Sequence, residues 1–449
     1  MWSLFQALAV PKCRITPRNS EEVALTLAKI VANSCRFAVL GGGTSPFAGV
    51  SHADGGITID LELLNSVNLI ETPNGNAVEV GGGTTWAELY WFLDPLNLSA
   101  AGTRNSLTGV VGSILGGGIS FFSQRHGWSC DNVISFEAVL ANSTIVQASE
   151  HTNPDLFWAL KGGGNNFGIV TGAIFETFHQ PPSWYTFQRW DMRALESVLH
   201  RLTQVAHHMP SEVQMLATTL GWSVHLQEFA ISERLVATSP PYLPQTLPVR
   251  NAGIGAEATR LEEYIYVKAT LEMAQKMDRM NADGFFNYFG STTVKSGADI
   301  NMKIASIFFD EVEGIKNAPG IQIYIVYNPI TVPAMQQMSK RGGNALGLRP
   351  QDGPLTIINI NLHWSEEGDT ERMRLFMRRM ISRIESTAKK DGVHHPYIFL
   401  NHCFEEQLPL ESYGWENIAR LHAVRDSVDP RRVFHTLQPG HHKLGRVGP

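Results

Sequence analysis

The strand-like stretch "TIININLHW" places two amides and an imidazole at every second residue, so Ile357, Asn359, Asn361 and His363 share one face of an extended chain. Two carboxamides and a histidine on one face are unusual for a sheet packed only against a core. That face suits contact with a small molecule, Asn359 and Asn361 binding it and His363 acting as an acid or base near neutral pH. A hydrogen-bonded structural histidine satisfies the same pattern. In "GIQIYIVYN" the same parity groups Gln322, Tyr324 and Val326, where Gln322 could bind and the Tyr324 phenol could orient or deprotonate a substrate hydroxyl. An aromatic at the rim of a core reads identically.

These stretches need elements to hold them, and glycine marks where the chain bends. Triplets occur at Gly41–Gly43, Gly81–Gly83, Gly116–Gly118 and Gly162–Gly164. Each glycine costs about 0.5–1 kcal/mol relative to alanine in regular structure, so an offsetting gain is expected. Tight turns explain any single triplet. All of them within the first part of the chain point to backbone that approaches a ligand closely and offers N–H groups to phosphate. No Gly-Lys-Ser/Thr follows any triplet, and the βαβ setting of a dinucleotide fingerprint is missing.

Around the triplets, helix and strand signals alternate. "EEVALTLAKIVANS" has helical spacing behind Asn19 and Ser20; "VEVGGGTTWAELY" reads as strand, turn, Thr-Thr cap and helix; "NVISFEAVLANSTIVQAS" reads as a hairpin turning at Asn142-Ser143. This is an α+β domain ending near Phe178. Beyond "HQPP" the helices "LESVLHRLTQVAHHM" and "ERMRLFMRRMISRIESTAKK" accompany long strands, which suits an antiparallel sheet backed by helices. The Pro-rich run Ser232–Ala256 reads as a loop, and the tail ends in a helix closed by Asp429-Pro430.

The 449 residues, 43% hydrophobic and 17% charged, suffice for two domains with a large core. A net charge of -6 without Lys/Arg clusters argues against nucleic acid. No apolar run reaches membrane-spanning length, and "MWSLFQALAVPKC" lacks the basic start and long apolar core of a signal peptide, so the chain reads as cytoplasmic. Cys13, Cys35, Cys130 and Cys403 are too scattered for a disulfide framework or zinc site and read as free buried thiols, although Cys13 and Cys35 could pair. The His-His pairs at 207–208, 394–395 and 441–442 lack metal-ligand spacing and read as solvated. Arg125 and His126 in "SQRHGW" read as positioning groups.

In order, "FAVLGGGTSPFAG", "VEVGGGTTWAELY", "GVVGSILGGGISFFSQRHGWSCDNV" and "NPDLFWALKGGGNNFGIVT" resemble the FAD-binding domain of the flavoprotein oxidases related to vanillyl-alcohol oxidase and the berberine bridge enzyme. "KRGGNALGL", "YIFLNH", "LESYGWENIARL" and "DPRRVFHTLQPG" resemble the fungal branch. The resemblance implies a two-part FAD domain, residues 1–178 plus a returning tail at 397–449, around an inserted α+β substrate domain at 179–396 whose antiparallel sheet roofs the flavin. It implies that Gly41, Gly42, Gly43, Thr44 and Ser45 line the pyrophosphate. Arg104, Asn105, Gly109, Gly112, Ser113, Gly117, Gly118 and Ile119 would hold the pyrophosphate and flavin side, and Gly168, Ile169 and Val170 the adenosine half.

The departures matter as much as the matches. Most members carry at Thr44 a histidine bonded to the flavin, and some a second tether, a cysteine, at Asn105. Neither nucleophile is present, so noncovalent FAD is expected. Asn401 and His402 match an Asn-Tyr pair that meets the flavin, with the tyrosine replaced by His402, an imidazole placed to take a proton as a hydride leaves for N5. Relatives carry a signal peptide and extra structure ahead of "VPKCRITPRNSEEV"; a chain that has become intracellular and one that starts late both fit. The expected activity is oxidation of a bulky apolar small molecule, with O₂ as final acceptor. A redox-neutral cyclase on the same fold is the alternative.

Overall fold

The computed structural model describes residues 2–73, 75–238, 253–278 and 283–445. Three parallel strands begin the fold, with Ile57–Asp60 between Cys13–Ile15 and Phe37–Leu40. The helix Ser20–Ala32 covers them because Val23, Leu27 and Ile30 fall on one side and are buried with Phe37 and Ile59. Asn19 caps it, accepting the Glu22 N–H at 2.8 Å. A five-stranded antiparallel sheet follows in the order Val67–Thr72, Gly75–Gly81, Ile169–Glu176, Val133–Val139, Ile145–Ser149. Its last hairpin turns at Asn142-Ser143, where Ser143 takes φ 67°. The helix Trp86–Leu93 starts in a capping box between Thr85 and Glu88 and buries Trp86, Leu89, Tyr90 and Leu93.

The middle of the chain forms an eight-stranded sheet in the order Arg260–Lys268, Ser183–Trp190, Glu228–Ala237, Val213–Ser223, Gln322–Ile330, Leu355–Trp364, Phe286–Lys295, His394–His395. One face packs under the helices Leu195–His207, Ala298–Val312 and Thr370–Lys390, which bury Ile323, Ile325, Tyr327, Ile358, Ile360, Leu362 and Trp364. The opposite face looks at the first domain. Along Gln322–Ile330 the residues alternate: Gln322, Tyr324 and Val326 stay partly open while Ile323, Ile325 and Tyr327 are buried. One correction concerns the run read as a loop from Ser232. Ser232 to Ala237 complete the strand Glu228–Ala237, while residues 239–252 of that run lie outside the described residues.

Three segments bind the two parts together. The first turn, Leu4–Ala7, sits on the middle sheet, with Phe5 against Phe286, Tyr288 and Trp364. From there Gln6 donates to the Phe47 carbonyl and accepts the Ser51 N–H at 3.2 Å, pinning the loop after the first glycine triplet. Helix Thr270–Asp278 leaves the middle region to dock on the first domain, where the Asp94 carboxylate accepts the N–H groups of Thr270 and Leu271 at 3.2 and 2.9 Å.

The tail is stapled by Gln407. Its Oε1 accepts the N–H groups of Ser291 and Phe404 at 3.1 and 2.8 Å, and its Nε2 donates to the Ser291 carbonyl at 2.7 Å. Gln407→Ala strands three buried backbone groups, an expected loss of about 1–3 kcal/mol by urea denaturation; an unchanged midpoint would contradict that role.

Candidate functional site

The glycine loops meet backbone to backbone. A Cβ on Gly42 would lie 2.2 Å from the Gly109 nitrogen, and one on Gly82 would lie 2.7 Å from the Val170 carbonyl oxygen. A Cβ on Gly41 would lie 3.5 Å from the Gly82 carbonyl oxygen. Four separate stretches, 41–45, 81–84, 109–113 and 168–171, therefore close on one another. No described residue accepts a hydrogen bond from the main-chain N–H of Gly42, Gly43, Thr44 or Ser45, and all four residues are partly open. A run of unengaged amides in a half-buried loop fits an anionic diphosphate.

Beside that loop, the short helix Val110–Leu115 is buried at every residue but one. Gly112 is exposed, and nothing lies within 4 Å of where its Cβ would be. Bare backbone faces open space there. Ser113 turns its hydroxyl into the core, where it accepts from Trp86 Nε1 at 2.9 Å, and leaves its carbonyl to Asn401 Nδ2 at 2.8 Å. Asn401 also fills the place a side chain at Gly116 would occupy, 1.9 Å from its Oδ1. Asn401 thus locks the tail onto the glycine bend. Gly117 and Gly118 hold φ 101° and 80° in that bend, and Ile119 packs against the core beyond it. Ile169 and Val170 are buried core residues that bring their backbone to the junction.

Gly162–Gly164 does not belong to this cradle. A Cβ on Gly162 would meet Leu346 at 2.6 Å, and one on Gly163 would meet Phe167 at 2.4 Å. That triplet is a packing turn beneath "KRGGNALGL", which corrects the ligand-contacting role expected for all the triplets.

Thr44 makes no hydrogen bond among the described residues, and Asn105 turns its Oδ1 to the Leu107 N–H at 3.2 Å and the Thr108 hydroxyl at 3.3 Å.

His402 reaches the space between the domains from the tail. Its Nδ1 lies 2.8 Å from Asn359 Nδ2, and its ring tilts against Phe289 and Phe399 at 4.9 and 5.3 Å. It keeps some open surface although protein surrounds it, as a group lining an internal space does. Burial, aided by the charge of Arg104, holds its pKa down to about 3. With the Asn359 amide N–H pointing at Nδ1, the neutral ring carries its proton on Nε2. Burial raises the Tyr324 phenol well above its usual value, so it stays protonated.

His363 has a different setting. It is 1% exposed, bonded through Nδ1 to Asn287 Oδ1, and walled by Trp2, Phe289 and Tyr324 with ring centroids 6.0–6.3 Å away. Burial depresses it to about 4, so it is neutral at physiological pH and not poised as the acid or base expected from the strand parity. Asn361, also buried, donates to the Asn359 carbonyl at 3.2 Å, and Gln322 pairs across from His363 on the open face.

Other sequence-level readings shift. Arg125 donates to the Ser211 carbonyl at 2.5 Å, joining the domains, and His126 stacks on Phe178 at 3.8 Å within the first. His441 and His442 are not solvated: they pack on Phe47, and His442 Nε2 lies 2.9 Å from Cys403 Sγ. All four cysteines are free, Cys130 and Cys403 buried, Cys13 exposed.

Arg234 was not singled out by the sequence. It belongs to the open face because it pairs across from Ala217 and Phe187, and the parity of "SERLVA" would have shown this had the stretch been taken as a strand.

Gly112→Ala separates packing from ligand contact. The added methyl meets no protein atom and should stabilise the ligand-free helix by about 0.5–1 kcal/mol, while weakening FAD retention measured by ultrafiltration; unchanged retention would place the cofactor elsewhere.

The family described as "FAD binding domain" matches residues 11–149. The FAD-dependent monooxygenase tpcD of Cochliobolus heterostrophus is 32% identical over 99% of this chain and 86% of its own length. The bifunctional solanapyrone synthase of Alternaria solani is 26% identical over 97% of this chain and 82% of its own. Among solved structures, 6-hydroxy-D-nicotine oxidase of Arthrobacter nicotinovorans superposes with a TM-score of 0.79 at 21% identity, covering 97% of this chain and 92% of that one. The glycine cradle, its roofing sheet and these matches together place the chain in the FAD-dependent oxidoreductases of the vanillyl-alcohol oxidase and berberine-bridge-enzyme type.

Proposed function

We propose that this FAD-dependent oxidoreductase belongs to fungal secondary metabolism, holds FAD without a covalent bond and oxidises a bulky, largely apolar small molecule. The observation that carries the reading is a glycine cradle with free amides at Gly42–Ser45, bordered by Thr44 and Asn105 where a tether would stand. When bound, FAD supplies the hydride acceptor, with O₂ as the final oxidant.

The chain's own groups then have defined tasks. The amides of Gly42, Gly43, Thr44 and Ser45 receive the diphosphate oxygens. Gln322, Tyr324 and Val326 present the open face of the sheet to the substrate. The Tyr324 hydroxyl and the Nε2 proton of His402 are hydrogen-bond donors at neutral pH, since burial pushes the phenol well up and holds the imidazole down to about 3. They orient a substrate oxygen and stabilise negative charge on it. Proton acceptance by His402, expected from its place in the motif, is not the role these surroundings favour.

A donor-rich lining supports a second reading as well. The same groups would polarise a substrate carbonyl in a redox-neutral cyclisation, and one relative is named a bifunctional synthase.

Acid precipitation of the yellow protein should leave all the flavin in the supernatant; flavin in the pellet would mean an attachment these residues do not provide. Under anaerobic conditions a substrate bleaches the flavin if the first reading holds, and yields product without bleaching if the second does. His402→Phe should keep the flavin and slow either reaction by about tenfold or more, the usual cost of removing a donor aimed at developing charge.

A further inference from the structure

Arg104 and Arg234 enter the space between the domains without a carboxylate partner among the described residues. Arg234 comes from the roof, on the face that also carries Ala217 and Phe187. It is 8% exposed, its Nη1 lies 3.3 Å from the Thr219 hydroxyl, its guanidinium carbon lies 4.9 Å from the Phe187 ring, and its Nε has no acceptor. The adjacent residue, Glu233, cannot serve: it points to the opposite face and pairs with Arg201. Arg104 comes from the first domain, and among the described residues its guanidinium hydrogen-bonds to the Met215 sulfur alone, at 3.7 Å. Met215 stands two residues from Ala217, which pairs with Arg234, so both cations border one patch of the Val213–Ser223 strand.

Their fields overlap. Burial lowers Arg104 to about 10, and the Arg234 charge adds to that depression; Arg104 in turn depresses His402, and Arg234 acts on Tyr324. No acidic side chain is bonded to either arginine among the described residues, and the stretches outside them (1, 74, 239–252, 279–282 and 446–449) contain no Asp or Glu. A buried cation without a partner is costly, and a second like charge nearby raises the cost. The arrangement makes sense when an anion completes it.

We propose that Arg104 and Arg234 clamp a carboxylate-type oxyanion of the substrate, so that the bulky molecule admitted here is an organic acid bound in its ionised form. This names the substrate class for the site described above and rests on that reading. Guanidinium groups suit the task because they stay charged and present paired N–H donors that match two oxygens. Phe187, Met215 and Val326 line the same face and take the apolar body, while Tyr324 and His402 donate to a neighbouring oxygen.

The test uses the FAD-loaded protein and calorimetry, which reads binding whether or not flavin is present. The probes are arene carboxylates from benzoate through 2-naphthoate to 1-pyrenebutyrate, each matched with the primary alcohol of the same carbon skeleton. At least one carboxylate should bind tenfold or more tightly than its alcohol. Arg234→Met and Arg104→Met should each abolish that preference, and Arg234→Lys should retain part of it. Weakening of the carboxylate by salt, with the alcohol unaffected, supports the clamp further. If no carboxylate outbinds its alcohol, or if the preference survives both Met substitutions, the clamp is overturned. Loss of flavin in Arg104→Met with the carboxylate preference intact would also overturn it, assigning that arginine to the cofactor. An Arg-dependent preference in protein that carries no flavin would sustain the clamp while defeating the oxidoreductase reading.

Discussion

Everything in the fold that bears on function depends on the closeness of Gly42 to Gly109. At 2.2 Å from a backbone nitrogen there is no room for a Cβ, so the loop after Phe37–Leu40 and the entry to Val110–Leu115 can touch only as bare main chain. That contact leaves the following amides without partners among the described residues. Buried amides are ordinarily satisfied. Here the unsatisfied ones are consecutive and partly open, so a packing constraint leaves main-chain donors where the proposed diphosphate would lie. The cost is borne by distant supports: Gln6 holds the loop from the N-terminal turn, and Asn401 closes the glycine bend from the tail.

The space above that cradle has a consistent electrical character. Its walls offer a phenol, an imidazole N–H and two guanidinium groups, while the carboxylates of the surrounding strands face elsewhere or are already paired, as Glu233 with Arg201 and Glu262 with Arg189. Burial drives the titratable groups the same way: His402 and His363 are kept neutral and Tyr324 is kept protonated, because each charged form would be poorly solvated. Such a lining stabilises negative charge and is poorly equipped to remove protons. A substrate that arrives already ionised suits it.

Local rules carried much of the fold. Asn19 and Thr85 announced their helices through capping, Asn142-Ser143 announced its hairpin, and period-two parity put Asn359, Asn361 and His363 on the side of their strand opposite the covering helices. Parity could not say what covers that face. Trp2, hundreds of residues away, closes over His363, so a residue that reads as chemical becomes a buried structural one. The four glycine triplets look alike in sequence, yet Gly162–Gly164 meets Leu346 whereas Gly41–Gly43 meets another bare loop. Only the tertiary partner distinguishes them. His442 beside Cys403 was hidden for the same reason, and Arg234 was hidden because a proline-rich run masked the end of its strand.

The central claim is that the amides following Gly41 hold a diphosphate that no side chain anchors covalently. A crystal structure of the protein saturated with FAD tests it most directly. The account predicts both phosphates within hydrogen-bond distance of main-chain N–H groups at Gly42–Ser45, and no continuous density from any residue to the flavin ring. Phosphates lying away from this loop, or a bond joining the ring to the protein, would contradict it.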